Sequence, residues 1–243
     1  MTDEEGRPTG PSYVCFDATA LIHCAATGYL NELGSWFPSG AFTAQHIMDV
    51  EIRRAAAKHP TNLAVCRATW LTAVPVEDHE DLAHFAWLLE HHWKSPPGKD
   101  RGEAEVLLLC RRYGWTAIMD DDTGRGYAEK PVKPCSPKDP MVTRPIPRIP
   151  SAMLLTTILA ATAWGITKHA KAWKMHCAVD RSRGGFSLIS YGESQRPIFD
   201  ECVDRFRALH QREPDLGFPD VLAKPGLDGL VALIRKQHRR IGG

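Results

Sequence analysis

The sequence has no excess of charge of either sign. Its 243 residues include 30 Lys and Arg and 29 Asp and Glu, which gives a formal net charge of +1 with neutral histidines. A chain without net positive charge has no global field that attracts a phosphate backbone. Any binding of nucleic acid must therefore depend on local basic patches or on metal ions.

The sequence also lacks paired cysteines and a membrane-spanning run. Its seven cysteines are scattered and never form a Cys-x-x-Cys pair, so neither a disulfide framework nor a zinc ribbon is predicted. The first residues show no signal-peptide pattern, and the longest apolar run, 152–166, is short for a bilayer and contains three threonines. We therefore expect a cytoplasmic, reduced protein that does not associate with membranes.

Short apolar runs alternate with helical patterns along the first half of the chain. The predicted strands are residues 13–16, 40–44, 70–76 and 116–119. The predicted helices are residues 18–33, 45–58, 78–93 and 103–113, with Gly114 as the stop of the last, and a short helix at 124–130. Because strands and helices alternate with short links, the sequence predicts an α/β fold with a central parallel sheet.

Composition divides the chain into segments. Residues 1–12 are predicted to form a disordered tail, and residues 13–190 the α/β domain. Seven prolines within residues 131–150 exclude regular structure there and predict an extended insert. Residues 191–243 are predicted to form a helical C-terminal extension.

Acidic residues recur at the places where this fold would bring them together. Asp17 follows the first strand, Glu51 lies in the second helix, Glu103 opens a later helix, and Asp120 and Asp121 follow a later strand. The carboxyl ends of parallel strands open into one crevice, and crowded carboxylates repel unless a cation or protons neutralise them. Taken singly, each acid is better explained by an ordinary role. Asp17 would be a helix cap, Glu51 a solvated helix residue, Glu103 a helix-dipole partner, and the two aspartates part of a turn.

Taken together, the acidic residues and their surroundings resemble those of the PIN-domain nucleases, which include toxin ribonucleases of bacterial toxin–antitoxin pairs. The similar segments are residues 14–22, 40–44 with the helix after them, 102–105, 118–125, 154–166 and 185–188. The resemblance implies a three-layer α/β/α domain over residues 13–190 and a metal-dependent endoribonuclease. The Pro-rich insert and the C-terminal extension depart from the family pattern.

The resemblance implies a site made of Asp17, Glu51, Glu103, Asp120 and Asp121. Asp17, Glu103 and one or both aspartates would hold the metal, and Glu51 would hold it directly or through water. Carboxylate oxygens favour Mg²⁺ or Mn²⁺ over zinc.

Several assignments stay open at the level of sequence. Asp49 competes with Glu51, Glu105 with Glu103, and Asp122 with the two aspartates before it. Thr19 is predicted to steady a carboxylate or a metal-bound water. The expected partners are an RNA substrate, an antitoxin and a second copy of the chain. The alternative functions are a catalytically silent PIN-like scaffold and a DNA-directed nuclease.

Overall fold

The structure is a computed structural model. It describes residues 6–10, 13–28, 30–35, 37, 40–77, 100–119, 124, 128, 146 and 148–149. The chain divides into two compact units, residues 1–148 and 149–243. Nearly all of the described residues belong to the first unit, and the predicted domain bounds remain a prediction.

The described strands form one five-stranded sheet in the order β3-β2-β1-β4-β5. They are β1 (Val14–Phe16), β2 (Ala41–Ala44), β3 (Leu71–Val74), β4 (Thr116–Ile118) and β5 (Arg148–Ile149). Neighbours among the first four are parallel, and Val14 lies opposite Ala41 on one side and Thr116 on the other. Every residue of β1 and β4 is buried, as expected of central parallel strands. The prediction of an α/β fold with a parallel sheet is confirmed.

Helices connect the strands. They are α1 (Ala18–Thr27), α2 (Leu30–Ser35), a π-helix (Ile47–Arg53) that continues into α3 (Arg54–Ala56), α4 (Pro60–Cys66) and α5 (Arg101–Tyr113). The first connection was predicted as one helix, but it breaks at Gly28, whose left-handed backbone (φ 79°) caps α1. α4 was not predicted from the sequence, although a proline at the first helical position is a known start signal. Gly114, also left-handed, ends α5 as predicted.

The strand order reverses at β1. The chain runs from β1 outward through β2 to β3, then returns to place β4 on the other side of β1. In open α/β sheets, the crevice beyond the carboxyl ends of the strands at such a reversal is the usual ligand site. The ends of β1 and β4 are therefore where a functional site is expected.

Residues 6–10 differ from the predicted disordered tail. The carbonyl of Pro8 accepts a hydrogen bond from the indole of Trp115 at 2.8 Å, and the amide of Gly10 donates to the carbonyl of Tyr113 at 2.9 Å. Trp115 stacks on Phe42 and on Tyr113, with ring centroids 4.1 and 4.6 Å apart. The buried indole N–H needs an acceptor, and the segment before β1 supplies it.

Other predicted elements lie outside the described residues. These are the helix at 78–93 and the C-terminal extension, together with most of the Pro-rich insert. Of the short helix predicted at 124–130, only Gly124 and Ala128 are described, and both are helical. Over the described part of the chain, no helix has the length and apolar character needed to cross a membrane.

Candidate functional site

Asp17 lies directly after β1, at the carboxyl edge of the sheet. Its side chain is 1% exposed, and its Oδ1 accepts a hydrogen bond from the amide of Ala20 at 2.6 Å. Its own amide donates to the carbonyl of Ile118, the last residue of β4, at 3.0 Å. Asp17 therefore caps α1, as the simpler interpretation of the sequence had it, and also lies at the reversal point beside the end of β4.

Glu51 lies on the π-helix and faces the beginning of α5. A Cβ atom added to Gly102 would overlap the Oε1 of Glu51 and would lie 2.8 Å from the Cγ1 of Ile47. The absence of a side chain at position 102 is therefore what lets the Glu51 carboxylate approach α5 so closely. Two segments separated by about fifty residues in the sequence meet at this point.

Asp49, which competed with Glu51 for the same role, has other partners. Its carboxylate accepts a hydrogen bond from Gln45 at 2.8 Å and forms an ion pair with Arg53, one turn along the helix. Both side chains of this ion pair are about half exposed, as is usual for a pair on a solvated helix surface. Glu51 therefore lies against Gly102, whereas Asp49 is bonded to Gln45 and Arg53 on its own helix.

The neighbours of Glu103 and Glu105 also distinguish these two candidate site residues. Glu105 is buried, and its Oε1 accepts a hydrogen bond from the Nε of Arg101 at 2.9 Å. Glu103 is half-buried in the first turn of α5, where the helix dipole favours an acid. The charge of Glu105 is compensated within its own helix by a cation.

Gly124, which follows β4 in the chain, lies close to Glu103. A Cβ atom added to Gly124 would lie 3.2 Å from the Sδ of Met119 and 3.6 Å from the Cβ and Cγ of Glu103. Met119 is fully buried and directly precedes the aspartates at 120 and 121. Gly124 therefore lies between the residue that precedes these aspartates and the acid at the start of α5.

These contacts link the four acidic segments in a series. Glu51 contacts the start of α5, Glu103 lies beside Gly124, Gly124 lies beside Met119, and the amide of Asp17 contacts the end of β4. Asp120, Asp121 and Asp122 lie outside the described residues. Among the residues that are described, no three acidic, histidine or cysteine side chains are grouped closely enough to hold a metal ion.

The Glu51 carboxyl group has an unusual protonation equilibrium. Burial, followed by the negative charges of Glu103 and Glu105, raises the pKa of Glu51 from 4.5 to about 7. Both causes disfavour the ionised form, the first by removing water and the second by repulsion between like charges. A cation bound near Glu51 would relieve this repulsion.

We expect Glu51→Gln to stabilise the metal-free protein at alkaline pH. Because the folded pKa exceeds the unfolded one, wild-type stability falls as pH rises from 4.5 to about 7, and the penalty is complete above that range. Glutamine never ionises, so the variant should gain about 1–2 kcal/mol at about pH 8, a figure reduced for partial exposure. Urea unfolding at several pH values measures the difference.

The expected difference disappears at about pH 4, where Glu51 is protonated in both folded and unfolded chains. Glu77→Gln is a suitable control, since this glutamate is exposed and is not among the charges that act on Glu51. An equal gain from both variants, or a gain that persists at low pH, would contradict the proposed environment of Glu51.

His46 lies near the candidate site but was not among the predicted site residues. Its pKa is lowered, mainly by burial and against the opposing charge of Glu105, while Arg101 and Arg54 add to the lowering. The histidine therefore lies close to Glu105 in α5, and with its pKa lowered it is neutral at neutral pH. In the sequence, the only indication that His46 lies near the site was its position two residues after the second strand.

No family model matches this chain, and no curated protein and no solved structure matches it. The resemblance to PIN-domain nucleases therefore depends on the motifs quoted above.

Proposed function

We propose that this protein is a metal-dependent endoribonuclease that hydrolyses RNA phosphodiester bonds. The observation that carries the proposal is the series of contacts that leads from Glu51 through the start of α5 and Gly124 to Met119, with the Asp17 amide bonded to the end of β4. A folded chain gains nothing in stability by crowding carboxylates, as the raised pKa of Glu51 illustrates. Such an arrangement is expected where function requires it.

The proposed fold is a three-layer, PIN-like α/β/α domain. α1, the π-helix and α4 pack against one another, and they belong to connections that run in one direction along the sheet. The connection that contains α5 runs in the opposite direction, and α5 packs on β1, β2 and β4. Since crossovers between parallel strands are almost always right-handed, opposite directions put helices on opposite faces.

The donor atoms suit a hard divalent cation. Asp17, Glu103, Asp120 and Asp121 would hold Mg²⁺ or Mn²⁺ through carboxylate oxygens, with Glu51 holding it directly or through water. When bound, such an ion supplies a water molecule of lowered pKa and neutralises charge on the phosphodiester. The fit is supported by the repulsion that Glu51 experiences from Glu103, which a cation would offset.

The chain's own residues would perform the supporting tasks. The cap that Asp17 makes on the Ala20 amide holds one of its carboxylate oxygens in place at the end of β1. The buried residues of β1 and β4 hold the two strand ends rigidly side by side. Gly102 leaves room for Glu51 at the start of α5.

The partners proposed here follow from the same resemblance. If the protein is a toxin, an antitoxin would occlude the acidic crevice, with an Arg or Lys side chain at the metal position. A homodimer and a cytoplasmic location are part of the same proposal.

The test compares cleavage of an RNA oligonucleotide and a DNA oligonucleotide of matching sequence by the full chain. We expect RNA cleavage with Mn²⁺, none with excess chelator, and a higher melting temperature when Mn²⁺ is added. Cleavage of DNA alone would indicate the DNA-directed alternative. The absence of both cleavage and Mn²⁺ stabilisation would favour the scaffold and would overturn the nuclease proposal.

A further inference from the structure

The helix that carries Glu51 has an uncommon geometry. Residues Ile47–Arg53 form a π-helix, whose i→i+5 hydrogen bonds put about one more residue in each turn than an α-helix has. A change of this stretch to α-helical bonding would rotate Glu51 about the helix axis relative to Ile47. In the π-helix, Ile47 and Glu51 both meet Gly102, so the position of the Glu51 carboxylate depends on this winding.

A buried side chain from the next helix contacts this stretch. Asn62 in α4 is 4% exposed, and its Nδ2 donates to the carbonyls of Glu51 and Ile52, each at 3.4 Å. An asparagine amide has two N–H groups, so it can serve two neighbouring carbonyls at once. The contact is made to the backbone of the residue whose side chain approaches α5.

The orientation of the Asn62 amide is itself determined by neighbours. The hydroxyl of Thr61 donates to the Oδ1 of Asn62 at 3.3 Å, which leaves the Nδ2 directed at the π-helix carbonyls. Ile52, whose carbonyl is the second acceptor, is fully buried. The amide therefore acts on a fixed segment of backbone.

We propose that Asn62 is a positioning residue of the candidate site, because its amide fixes the π-helix in the winding that holds the Glu51 carboxylate at the start of α5. The proposal deepens the nuclease function proposed above, and the part of it that concerns metal binding rests on that function. The role is distinct from a general contribution to stability, because the bonded carbonyls belong to Glu51 and its neighbour.

The experiment compares Asn62→Ala with Val65→Ala, a matched truncation of a fully buried residue on the same helix. Gly102→Ala serves as the reference for a displaced Glu51, since its methyl group would overlap the Glu51 carboxylate. The first readout is the ¹³C resonance of the Glu51 carboxyl group in metal-free protein, assigned by its loss in Glu51→Gln. The second is the Kd for Mn²⁺, measured by electron paramagnetic resonance below the melting temperature of every variant.

We expect Asn62→Ala and Gly102→Ala to move the Glu51 resonance, and Val65→Ala to leave it unchanged. The Kd for Mn²⁺ should rise about tenfold in Asn62→Ala, a typical effect of removing a group that supports a ligand. An unchanged Glu51 resonance in Asn62→Ala, or an equal displacement in Val65→Ala, would overturn the positioning role.

The two proposals fail separately. A wild-type protein that binds no Mn²⁺ contradicts the nuclease, whereas the metal-free resonance still decides the role of Asn62. If Asn62→Ala does not fold, Thr61→Val replaces it, since that change removes only the hydroxyl that orients the amide. It should then displace the Glu51 resonance in the same direction by a smaller amount, and an unchanged resonance would again overturn the proposal.

Discussion

Replacing Asp17 with asparagine should lower Mn²⁺-dependent RNA cleavage by about 100-fold or more while leaving the protein folded. An asparagine keeps the oxygen that accepts the hydrogen bond from Ala20, so the cap on α1 survives with a change of less than about 1 kcal/mol. The negative charge, however, is lost, and about 3 kcal/mol of lost transition-state stabilisation corresponds to about two powers of ten in rate. Single-turnover cleavage and thermal unfolding measure the two effects.

Asp17→Ala provides the matched comparison. It removes both the charge and the cap, so it should be as inactive as Asp17→Asn but less stable by about 0.5–2 kcal/mol. Cleavage by Asp17→Asn at the wild-type rate would remove Asp17 from the site and would point to a contaminating ribonuclease. Activity that followed stability across both variants would reduce Asp17 to a capping residue.

Replacing Glu103 with glutamine should likewise lower cleavage by about 100-fold and weaken Mn²⁺ binding, whereas Glu105→Gln should do neither. The two glutamates lie two residues apart in the first turns of α5, and the carboxylate of Glu105 is compensated by Arg101, at 2.9 Å. Loss of the Glu105 charge should therefore reduce stability by about 1 kcal/mol, with little effect on metal affinity. Calorimetry with Mn²⁺ and urea unfolding separate these results.

The two variants also test the choice of Glu103 over Glu105 as a metal ligand. Weaker Mn²⁺ binding in Glu105→Gln than in Glu103→Gln would show that Glu105, and not Glu103, is the metal ligand in segment 102–105. Full activity in both would exclude α5 from the site.

Much of the sheet could be predicted because its strands are short, apolar and followed by recognisable helices. β1, β2 and β4 were found within one or two residues of their predicted bounds, and β3 is shorter than predicted, ending before Pro75. Gly114 was predictable as a stop because few other residues adopt a left-handed backbone at low cost. Gly28 acts in the same way, but the apolar pattern continued past it and concealed the break.

Other features could not be read from local pattern. The π-helix was predicted as part of an ordinary helix, because only its i→i+5 backbone hydrogen bonds distinguish it and the sequence does not show them. The segment at residues 6–10 is polar and rich in glycine and proline, so nothing in its composition indicated that Trp115 would take an acceptor from it. The preference for Glu51 over Asp49 likewise depends on which side of a helix meets Gly102.

The sequence by itself determined the parallel α/β architecture, since apolar composition and periodicity are local properties that each segment carries alone. It also determined which acids follow strands or open helices. Only the tertiary structure decided that Glu51 meets Gly102 and that Gly124 lies between Met119 and Glu103. These depend on how the strand order reverses at β1 and on how neighbouring helices meet. Such long-range contacts are fixed by the fold as a whole, because no single segment contains both partners.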